Sequence, residues 1–297
     1  MKILNFGSCN MDYVYSLDHI VKAGETEQSH KMEIFPGGKG LNQSIAIAKA
    51  GAKVYHAGCI GSDGELMLEI LNANGVDTTY MQAVDAKNGH AVIQVNAKGE
   101  NSIFLYAGSN EMVTEKQIDK VLEDFEENDI VLLQNEISNV PYIIEHAHKK
   151  KMCIVLNPSP FNEEISKIDL SKISYLILNE IEAQEISGCV NGEESLAYFK
   201  ENYPNLKVML TLGDKGCVYM DSNHILYHPI FPVKVVDTTA AGDTFTGYFI
   251  AGIAQKMDYS DIIKISSCAS SLAVSVKGAA PSIPFRDAVM NKLEKEE

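Results

Sequence analysis

The sequence predicts an α/β fold of three layers, in which a central, mostly parallel sheet is flanked by helices and carries a small β-sheet lid. Short, almost continuously apolar segments alternate with helical segments, which is the pattern of parallel strands covered on both faces. Two polar or β-rich stretches interrupt this alternation and supply the lid. With 297 residues and 45% hydrophobic content, the chain is long enough for one large domain, which we place at residues 1–297.

The strands of the main sheet are predicted from the apolar runs, which are the clearest signal. These runs occupy residues 2–7, 53–60, 129–134, 152–157, 175–179, 207–212 and 217–220. Helices are predicted after Gly40, from Gly64 to Asn74, through Ile144 and from Asp243 onward. The chain ends in the charged segment KLEKEE, which we interpret as a solvated tail.

The lid is predicted at about residues 12–36 and 90–106. The first segment is polar and extended, and the second has two β-rich runs around a turn at Lys98 and Gly99, which is typical of a β-hairpin. Inserted between strand–helix units, these segments would cover the carboxyl edge of the main sheet, where ligands bind in such folds. An additional hairpin with no role as a lid would give the same pattern.

Charge and cysteine content restrict the partners and the compartment. The formal net charge of −15 argues against nucleic acid or an anionic membrane as a partner, because clustered Lys and Arg bind both. The six cysteines contain no CxxC pair, and several fall in predicted strands, which indicates reduced core residues of a cytoplasmic protein. The chain opens on a strand without a basic segment or a long apolar run, so we expect neither secretion nor a membrane span.

The segment DTTAAGDTF at residues 237–245 combines small residues with a carboxylate where a loop becomes a helix. Ala240, Ala241 and Gly242 would place amide N–H groups in the first helical turn, where they lack internal partners and can bind a phosphate. Asp243 follows directly, and a carboxylate beside a phosphate site is suited to accepting a proton from an attacking hydroxyl. The alternative is an ordinary helix start, since an Asp near a helix N-terminus needs no chemistry.

Two motifs far apart in the chain resemble those of the ribokinase-like (PfkB) carbohydrate kinases. The segment GGKGLNQS at residues 37–44, followed by Gly51 and Gly61, resembles the first signature of that family, and DTTAAGDTF resembles the second. Tyr248 stands where the second signature has a small residue. The resemblance runs essentially end to end, through GSCNMD at 7–12, LLQNE at 132–136, LNEIEAQE at 178–185, TLGDKG at 211–216 and KGAAPS at 277–282.

The resemblance implies a sugar site at the carboxyl edge of the sheet. The glycine cluster at residues 37–40 lets the backbone approach a polyhydroxylated ligand closely, and the side chains beside it offer hydrogen-bond donors. The residues implied to hold the sugar are Asn10, Asp12, Gly38, Lys39, Gly40, Asn42, Glu136 and Asp243. A plain turn before a helix is the alternative for the glycines, and a helix cap is the alternative for Glu136.

The resemblance also implies a site for ATP and Mg²⁺. Asn179 and Glu182 are three residues apart at the start of a predicted helix, and in the family this element orients magnesium against the phosphates, mostly through water. From the residues alone, an acidic first turn that suits the helix dipole is the preferred interpretation. The implied nucleotide-binding residues are Asn179, Thr211, Leu212, Gly213, Asp214, Lys215, Gly216, Gly242 and Ser267.

A monovalent-cation site, for K⁺, is implied beside the anion-binding turn. The residues that resemble it are Asp237, Thr239, Ala273, Val276, Gly278 and Ser282. From the sequence alone Asp237 is only a turn residue. Leaving its charge uncompensated beside Asp243 and a polyphosphate would be costly, which favours a bound cation. We expect potassium to activate the protein by ordering the turn without contacting substrate.

The resemblance implies an ATP-dependent sugar kinase that phosphorylates the primary hydroxyl of D-ribose, with Asp243 as general base and the amides of residues 240–242 as anion hole. The alternative is a nucleoside, deoxyribose or hexose kinase of the same family. A nicotinamide dehydrogenase lacks support because no G-x-G-x-x-G follows the first strand. The presence of Gly242, Asp243, Asn179 and Glu182 argues against an inactive sugar-binding regulator. The family further implies a homodimer paired through the lids.

Overall fold

The computed structural model describes residues 1–295, and the last two residues of the segment predicted as a solvated tail lie outside them. The strands are β1 (Ile3–Phe6), β2 (Asn10–Ser16), β3 (Lys31–Gly37), β4 (Val54–Ile60), β5 (Asp77–Ala83), β6 (Gly89–Val95), β7 (Asn101–Tyr106), β8 (Ile130–Gln134), β9 (Cys153–Asn157), β10 (Tyr175–Asn179), β11 (Lys207–Thr211), β12 (Cys217–Met220) and β13 (Ile225–His228). The helices are α1 (Lys39–Lys49), α2 (Glu65–Ala73), α3 (Glu115–Leu122), α4 (Val140–Lys149), α5 (Glu180–Ser187), α6 (Gly192–Asn202), α7 (Ala241–Ala254), α8 (Tyr259–Ala273) and α9 (Arg286–Leu293).

The main sheet confirms the predicted parallel architecture. Within residues 1–295 it has nine strands in the order β13-β12-β11-β10-β9-β8-β1-β4-β5. The strands from β11 to β5 are parallel to their neighbours, and β12 and β13 add antiparallel strands at one edge. The sequence did not predict the two outermost strands, β5 and β13. Both mix polar with apolar residues, because an edge strand is covered less completely than a central one.

The lid is a separate four-stranded sheet in the order β3-β2-β6-β7, which confirms the small sheet predicted from the two interrupting segments. Strands β6 and β7 form the expected hairpin, and Gly99 adopts φ 82° in its turn. Strand β2 begins at Asn10, two residues earlier than predicted, and Asn10 pairs with Gly37 at the end of β3. The base of the lid therefore contains residues that the sequence assigned to the sugar site.

Helices cover both faces of the main sheet, and the sheet separates two hydrophobic clusters. Leu4 and Phe6 of β1 point to the cluster built with α3, α4, α5 and α6, and Ile3 points to the cluster built with α1, α2, α7 and α8. Every one of these β1 side chains is at most 1% exposed. This alternation explains why the central strands read as continuous apolar runs.

Helices α1 and α7 pack closely, and this contact positions both signature motifs. A Cβ atom at Gly247 would lie 2.3 Å from the Cβ of Ala46, so the helices meet where one of them has no side chain. Tyr248, the departure from the family pattern, belongs to a different cluster on the other side of α7, and its hydroxyl donates to the carbonyl of Pro284 at 2.9 Å. The larger residue therefore does not enter the contact between α1 and α7.

Two expectations concern the cysteines and the membrane. Four of the six cysteines, Cys9, Cys59, Cys217 and Cys268, are buried as the expectation of core residues requires, and Cys153 and Cys189 are partly exposed. None of the helices within residues 1–295 combines the length and the apolar character needed to cross a membrane.

Candidate active site

The amino end of α1 lies directly against the loop that follows β1. A Cβ atom at Gly40 would lie 2.3 Å from the amide nitrogen of Ser8, so only glycine fits there. Gly38 adopts φ 92°, in the left-handed region that favours glycine, and ends the lid strand just before the helix. The glycines of the first signature thus bring α1, β1 and the lid to one point.

Glu136 lies at this point, two residues after β8. Its Oε2 accepts hydrogen bonds from the Ser8 hydroxyl and from the Lys39 amide, the latter at 2.9 Å. Burial raises the pKa of Glu136, although the Lys39 ammonium and the two hydrogen bonds oppose this shift. Burial in turn favours the neutral form of Lys39, but Asp243, Glu136 and Glu182 outweigh it and raise the pKa of the ammonium. Lys39 is therefore the charge that balances the carboxylates of the site.

Asp12 lies in the lid strand β2, with its carboxylate packed over the backbone of Gly37. A Cβ atom at Gly37 would lie 2.1 Å from the Asp12 Oδ2. Burial, followed by repulsion from Glu136 and Asp243, raises the pKa of Asp12 to about 7. This shift shows that the three carboxylates share one poorly solvated region.

Asn10 is held by a residue that the sequence analysis missed. Asn110 Nδ2 donates to Asn10 Oδ1 at 2.7 Å, and Asn110 Oδ1 accepts from the Cys9 amide at 3.1 Å. Both asparagines are buried. Asn110 lies in a 3₁₀ turn after β7, where no motif marks it, and only its contact with Asn10 reveals the connection.

Asp243 is 9% exposed and is held by two side chains of α1. Asn42 Nδ2 donates to Asp243 Oδ2 at 3.0 Å, and Gln43 Nε2 donates to Asp243 Oδ1 at 2.9 Å. The Asn42 Oδ1 is buried without a hydrogen-bond partner in residues 1–295, so Asn42 contacts Asp243 through its amino group alone. The sequence analysis named Asn42 but not Gln43, although both belong to the same GGKGLNQS segment.

The amide N–H groups at the start of α7 differ in one respect from the prediction. Ala240 is the residue before the helix, with φ 60°, and the Ala241 amide donates to the Thr238 carbonyl at 3.2 Å. The Ala241 amide is therefore occupied, because the turn that precedes α7 closes on itself. The amides of Gly242 and Asp243 donate to no group within residues 1–295, and a Cβ at Gly242 would meet open space. These amides face a region that an anion can enter.

Two cavities lie near these residues. A cleft of about 1140 Å³ opens under the edge of the lid, where Asn10 and Glu136 line it together with residues of the segments 135–145 and 160–172. A cavity of about 220 Å³ lies at the start of α7, lined by Lys39, Thr211, Asp243 and others. Glu136 thus lines the wide cleft, whereas Lys39 and Asp243 line the narrow cavity at the free amides, and Asp12 lines neither.

Asn179 and Glu182 lie at the rim of the smaller cavity and form a reciprocal helix cap. Glu182 N donates to Asn179 Oδ1 at 2.9 Å, and Asn179 N donates to Glu182 Oε2 at 3.0 Å. Within residues 1–295 no group of three or more His, Cys, Asp or Glu side chains could enclose a metal ion. The donor set fits a magnesium ion whose other ligands are phosphate oxygens and water, because such an ion needs few protein ligands.

Only part of the predicted nucleotide-binding segment, residues 211–216, lies at the site. Thr211 lines the smaller cavity, whereas Leu212, Gly213, Asp214, Lys215, Gly216 and Ser267 line neither cavity. A 3₁₀ turn at Gly213–Lys215 follows β11, and Gly216 adopts φ 105°. The Ser267 hydroxyl lies 3.5 Å from the Cys217 sulfur, so α8 packs against β12 directly beyond this turn.

Asp237 connects two loops through hydrogen bonds. Its Oδ1 accepts from the Thr239 amide at 2.9 Å and from the Thr239 hydroxyl at 2.6 Å, and its Oδ2 accepts from the Gly278 amide at 2.9 Å. Burial favours protonation, but these hydrogen bonds outweigh it and lower the pKa of Asp237. The Thr239 amide, the Thr239 hydroxyl and the Gly278 amide therefore stabilise the charge of Asp237.

The other residues of the predicted cation site lie on the second of these loops. The Ala273 carbonyl accepts the Val276 amide at 3.1 Å, and the buried Ser282 hydroxyl donates to the Ala279 carbonyl at 2.8 Å. The Asp237 and Val236 amides both donate to the Val274 carbonyl. The two segments are thus held side by side, and their oxygen atoms are of the kind that suits a monovalent ion.

Comparisons with known proteins agree over almost the whole length. A model of the pfkB family of carbohydrate kinases matches residues 1–286. The ribokinase of Bacillus subtilis (strain 168) is 36% identical over 287 residues, or 95% of this chain and 96% of that protein. The deoxyribokinase of Salmonella typhi is 30% identical over 293 residues, or 96% of each. A solved structure of Arabidopsis thaliana ribokinase complexed with ribose and ATP has a TM-score of 0.88 at 28% identity, covering 99% of this chain and 98% of that one.

Proposed function

This chain belongs to the PfkB family of carbohydrate kinases, and we propose that it phosphorylates the primary hydroxyl of D-ribose to give ribose 5-phosphate. ATP is the phosphoryl donor of this kinase class. The observation that carries the proposal is the position of Asp243, a buried carboxylate beside unpaired amides at the smaller cavity. A sugar hydroxyl held at this carboxylate would face a phosphate that occupies the smaller cavity.

The roles follow from this arrangement. Asn10, Asp12 and Glu136 hold the sugar hydroxyls, with Gly38 and Gly40 allowing close approach of the backbone. Asp243 accepts the proton of the attacking hydroxyl, and a loose phosphoryl transition state needs little deprotonation before attack. The amides of Gly242 and Asp243 stabilise the charge that develops on the transferred group. Closure of the lid excludes water that would otherwise hydrolyse ATP.

Magnesium suits the charge balance of the site. Asp12, Glu136, Asp243 and Glu182 supply carboxylates, whereas Lys39 is the cation that balances them. A polyphosphate adds further negative charge, so a divalent cation would enter with it. Asn179 and Glu182 would hold this ion mainly through water, and the ion would neutralise charge on the phosphates.

The substrate is tested by a panel assayed for ADP release with D-ribose, 2-deoxyribose, fructose and adenosine. We expect kcat/KM to be highest for ribose. Support for ribose comes from the names of the relatives at about one-third identity and from the GGKGLNQS segment. Comparable or higher kcat/KM for another compound would replace ribose by that compound and leave the kinase class intact.

The general base is tested separately with Asp243→Asn. This change keeps the size of the side chain and removes the proton acceptor, so kcat should fall by at least ~100-fold. Circular dichroism and thermal unfolding should show that the variant remains folded. Turnover near that of the unchanged chain would exclude Asp243 as the base.

A deoxyribose, nucleoside or hexose kinase is the second candidate. The deoxyribokinase of Salmonella typhi is 30% identical over nearly the full chain, so family membership alone does not select the sugar. The cleft of about 1140 Å³ under the lid also exceeds what one pentose needs. The same substrate panel separates these candidates.

We also infer that two copies pair through their lids. The strand β7 lies at the edge of the lid, and Ile103, Phe104, Leu105 and Tyr106 are each more than half exposed. An uncovered apolar edge strand is a site of association. A second lid of the same kind would cover it.

A further inference from the structure

Gln43 lies on α1 beside the Asp243 carboxylate and is completely buried. Its Nε2 donates to Asp243 Oδ1 at 2.9 Å and to Asn157 Oδ1 at 3.1 Å. Gln43 lines neither the cleft under the lid nor the smaller cavity. It therefore contacts the carboxylate from the protein side and is shielded from any ligand.

The direction of the Gln43 amide is determined first through Asn157. Asn157 Nδ2 donates to the backbone carbonyl of Ile177 at 2.8 Å, so Asn157 Oδ1 faces Gln43. A carbonyl oxygen only accepts hydrogen bonds, and turning the Asn157 amide around would place two acceptors in contact. Asn157 therefore requires the amino group of Gln43 on the side where Asp243 lies.

A second set of hydrogen bonds determines the same direction from the other end of the amide. Gln134 Nε2 donates to Gln43 Oε1 at 2.7 Å and to Asn5 Oδ1 at 3.0 Å. Asn5 Nδ2 donates to the Gly40 carbonyl at 2.7 Å and to the Ser44 hydroxyl oxygen at 2.8 Å. The Gly40 carbonyl thus determines the direction of the Asn5 side-chain amide. Asn5 in turn determines the direction of the Gln134 amide, and Gln134 determines that of the Gln43 amide.

We propose that Gln43 is a positioning residue for the base Asp243, and that Gln134 and Asn5 keep its amino group turned toward that carboxylate. The inference rests on the proposed role of Asp243. With Gln43 on Oδ1 and Asn42 on Oδ2, the carboxylate is held at both oxygens and cannot rotate. A reversed Gln43 would place its carbonyl oxygen against Asp243 and disfavour the ionised base.

Other charged groups also face this carboxylate. Lys39 from α1, Asp12 from β2, Glu136 from the segment after β8 and Glu182 from α5 surround it electrostatically or line its cavity. None of them is altered in the variants below. A change in pH profile relative to the unchanged chain therefore reports on the amide network.

The first test replaces the donor by an acceptor of the same shape, Gln43→Glu. We expect kcat for ADP release at pH 7 to fall at least tenfold, with KM for sugar and ATP changed less than threefold. The midpoint on the acid side of the kcat profile should rise by about one pH unit, because a second carboxylate now faces Asp243. An unchanged profile in the folded variant would overturn the proposal.

Gln117→Glu is the matched control. Gln117 is also buried, and its Nε2 donates to the Gly58 carbonyl at 2.8 Å, but it contacts none of the site residues. This variant should lose thermal stability and keep the acid-side midpoint of the unchanged chain. An equal shift of the midpoint in Gln117→Glu would show a general effect of a buried carboxylate and would overturn the role of Gln43.

The second test asks whether Gln134, which does not contact Asp243, affects turnover by orienting the Gln43 amide. Gln134→Met removes the donor to Gln43 with little change in volume, and kcat should fall about three- to tenfold with unchanged KM. In the background of Gln43→Met, the same substitution should lower kcat no further, because the residues act in series. Equal fold losses of kcat in both backgrounds would contradict the proposal that Gln134 acts on Asp243 through Gln43. These variants also keep the test available should Gln43→Glu not fold.

Asp243→Asn separates this inference from the proposed function. Retained turnover in Asp243→Asn removes the base and thereby the premise of the inference. If Asp243→Asn loses turnover while the pH profile of kcat in Gln43→Glu is unshifted, only the positioning role of Gln43 is overturned. The assays use whichever sugar the substrate panel selects, so a preference other than ribose leaves the test of Gln43 intact.

Discussion

At the scale of single residues, the site is an electrostatic balance among buried groups. Asp12, Glu136 and Asp243 repel one another, and Lys39 is the cation within their reach. Each carboxylate has a different surrounding: Glu136 accepts from a hydroxyl and an amide, Asp243 accepts from two side-chain amides, and Asp12 packs over Gly37. Burial, together with repulsion from Glu136 and Asp243, raises the pKa of Asp12 to about 7.

Asp12→Asn should stabilise the free protein in a pH-dependent manner. The carboxyl group has a pKa of about 7 in the folded chain against a usual value of 3.8, so the folded chain holds a proton that the unfolded chain has released between these values. Stability contributed by this group is complete below about pH 4 and is lost as the pH rises through about 7. The advantage of Asp12→Asn should thus grow from pH 4 to pH 8, to on the order of 4 kcal/mol.

Urea unfolding at pH 4 to 8 measures this difference. Asp85→Asn, at an exposed position outside the site, controls for the loss of one negative charge and should give a small, nearly constant difference. A difference between Asp12→Asn and the unchanged chain that does not vary with pH would contradict a raised pKa at Asp12.

At the scale of elements, the site depends on how α1 and α7 meet. Helix α1 supplies Asn42 and Gln43, and α7 supplies Asp243 and the free amides. The two helices lie close because Gly247 has no side chain at the contact with Ala46. The distance between these helices therefore sets the hydrogen bonds to the base.

Gly247→Ala should lower both stability and turnover. Its Cβ would lie 2.3 Å from the Ala46 Cβ and 2.9 Å from the Ile47 amide nitrogen, so the helices must separate, at a cost of about 2–3 kcal/mol. Separation also lengthens the hydrogen bonds to Asp243, and kcat should fall at temperatures where the variant is folded. Gly252→Ala is the control, because the three atoms nearest to its Cβ, the closest at 2.7 Å, all belong to the Ile262 side chain, which can move more easily than a helix backbone. An equal stability loss in the two variants would argue against a special contact at Gly247.

The loop before α7 is the element through which a cation would act. We propose that potassium raises turnover by ordering residues 237–239 and 273–282, which Asp237 already connects through Gly278. Turnover should rise with potassium at constant ionic strength, sodium should substitute poorly, and Asp237→Ala should abolish the response. Thr78→Ala in β5, at an exposed hydroxyl remote from this loop, should keep it. Equal rates in potassium, sodium and a bulky organic cation would refute the cation site and leave the kinase assignment standing.

At the scale of the whole molecule, the lid joins the proposed sugar site to the exposed apolar edge through which we propose that two copies pair. Asn10 and Asp12 lie at the base of β2, and the apolar residues 103–106 lie on the edge strand β7 of the same sheet. Pairing of two lids would hold each lid in place over its own cleft. Assembly and sugar binding would then be linked through one small sheet.

Phe104→Glu should convert a dimer into a monomer. Phe104 is 57% exposed, and a carboxylate on two facing edge strands would repel its copy within the interface. Sedimentation velocity at assay concentrations measures the change. Ile225→Glu adds the same charge to β13 of the main sheet, where Ile225 is 61% exposed, and should leave the mass unchanged. A monomeric unchanged chain would contradict pairing through the lid.

The sequence by itself determined the parallel sheet, the two lid segments and both signature motifs. Apolar runs report burial on two faces, and the glycines at 37, 38 and 40 report a close backbone approach, because both effects depend on residues adjacent in the chain. The strands β5 and β13 were not predicted from the sequence, since edge strands lack a continuous apolar run.

Only the tertiary structure decided which groups hold the base and which amides are free. The bonds from Gln43 to Asp243 and from Asn110 to Asn10 join residues 200 and 100 positions apart, and no local pattern encodes such partners. The occupied Ala241 amide and the compensated charge of Asp237 likewise follow from how loops close on one another. Hydrogen bonds in a buried site depend on distances and directions of a few tenths of an ångström, and packing of the whole chain sets these.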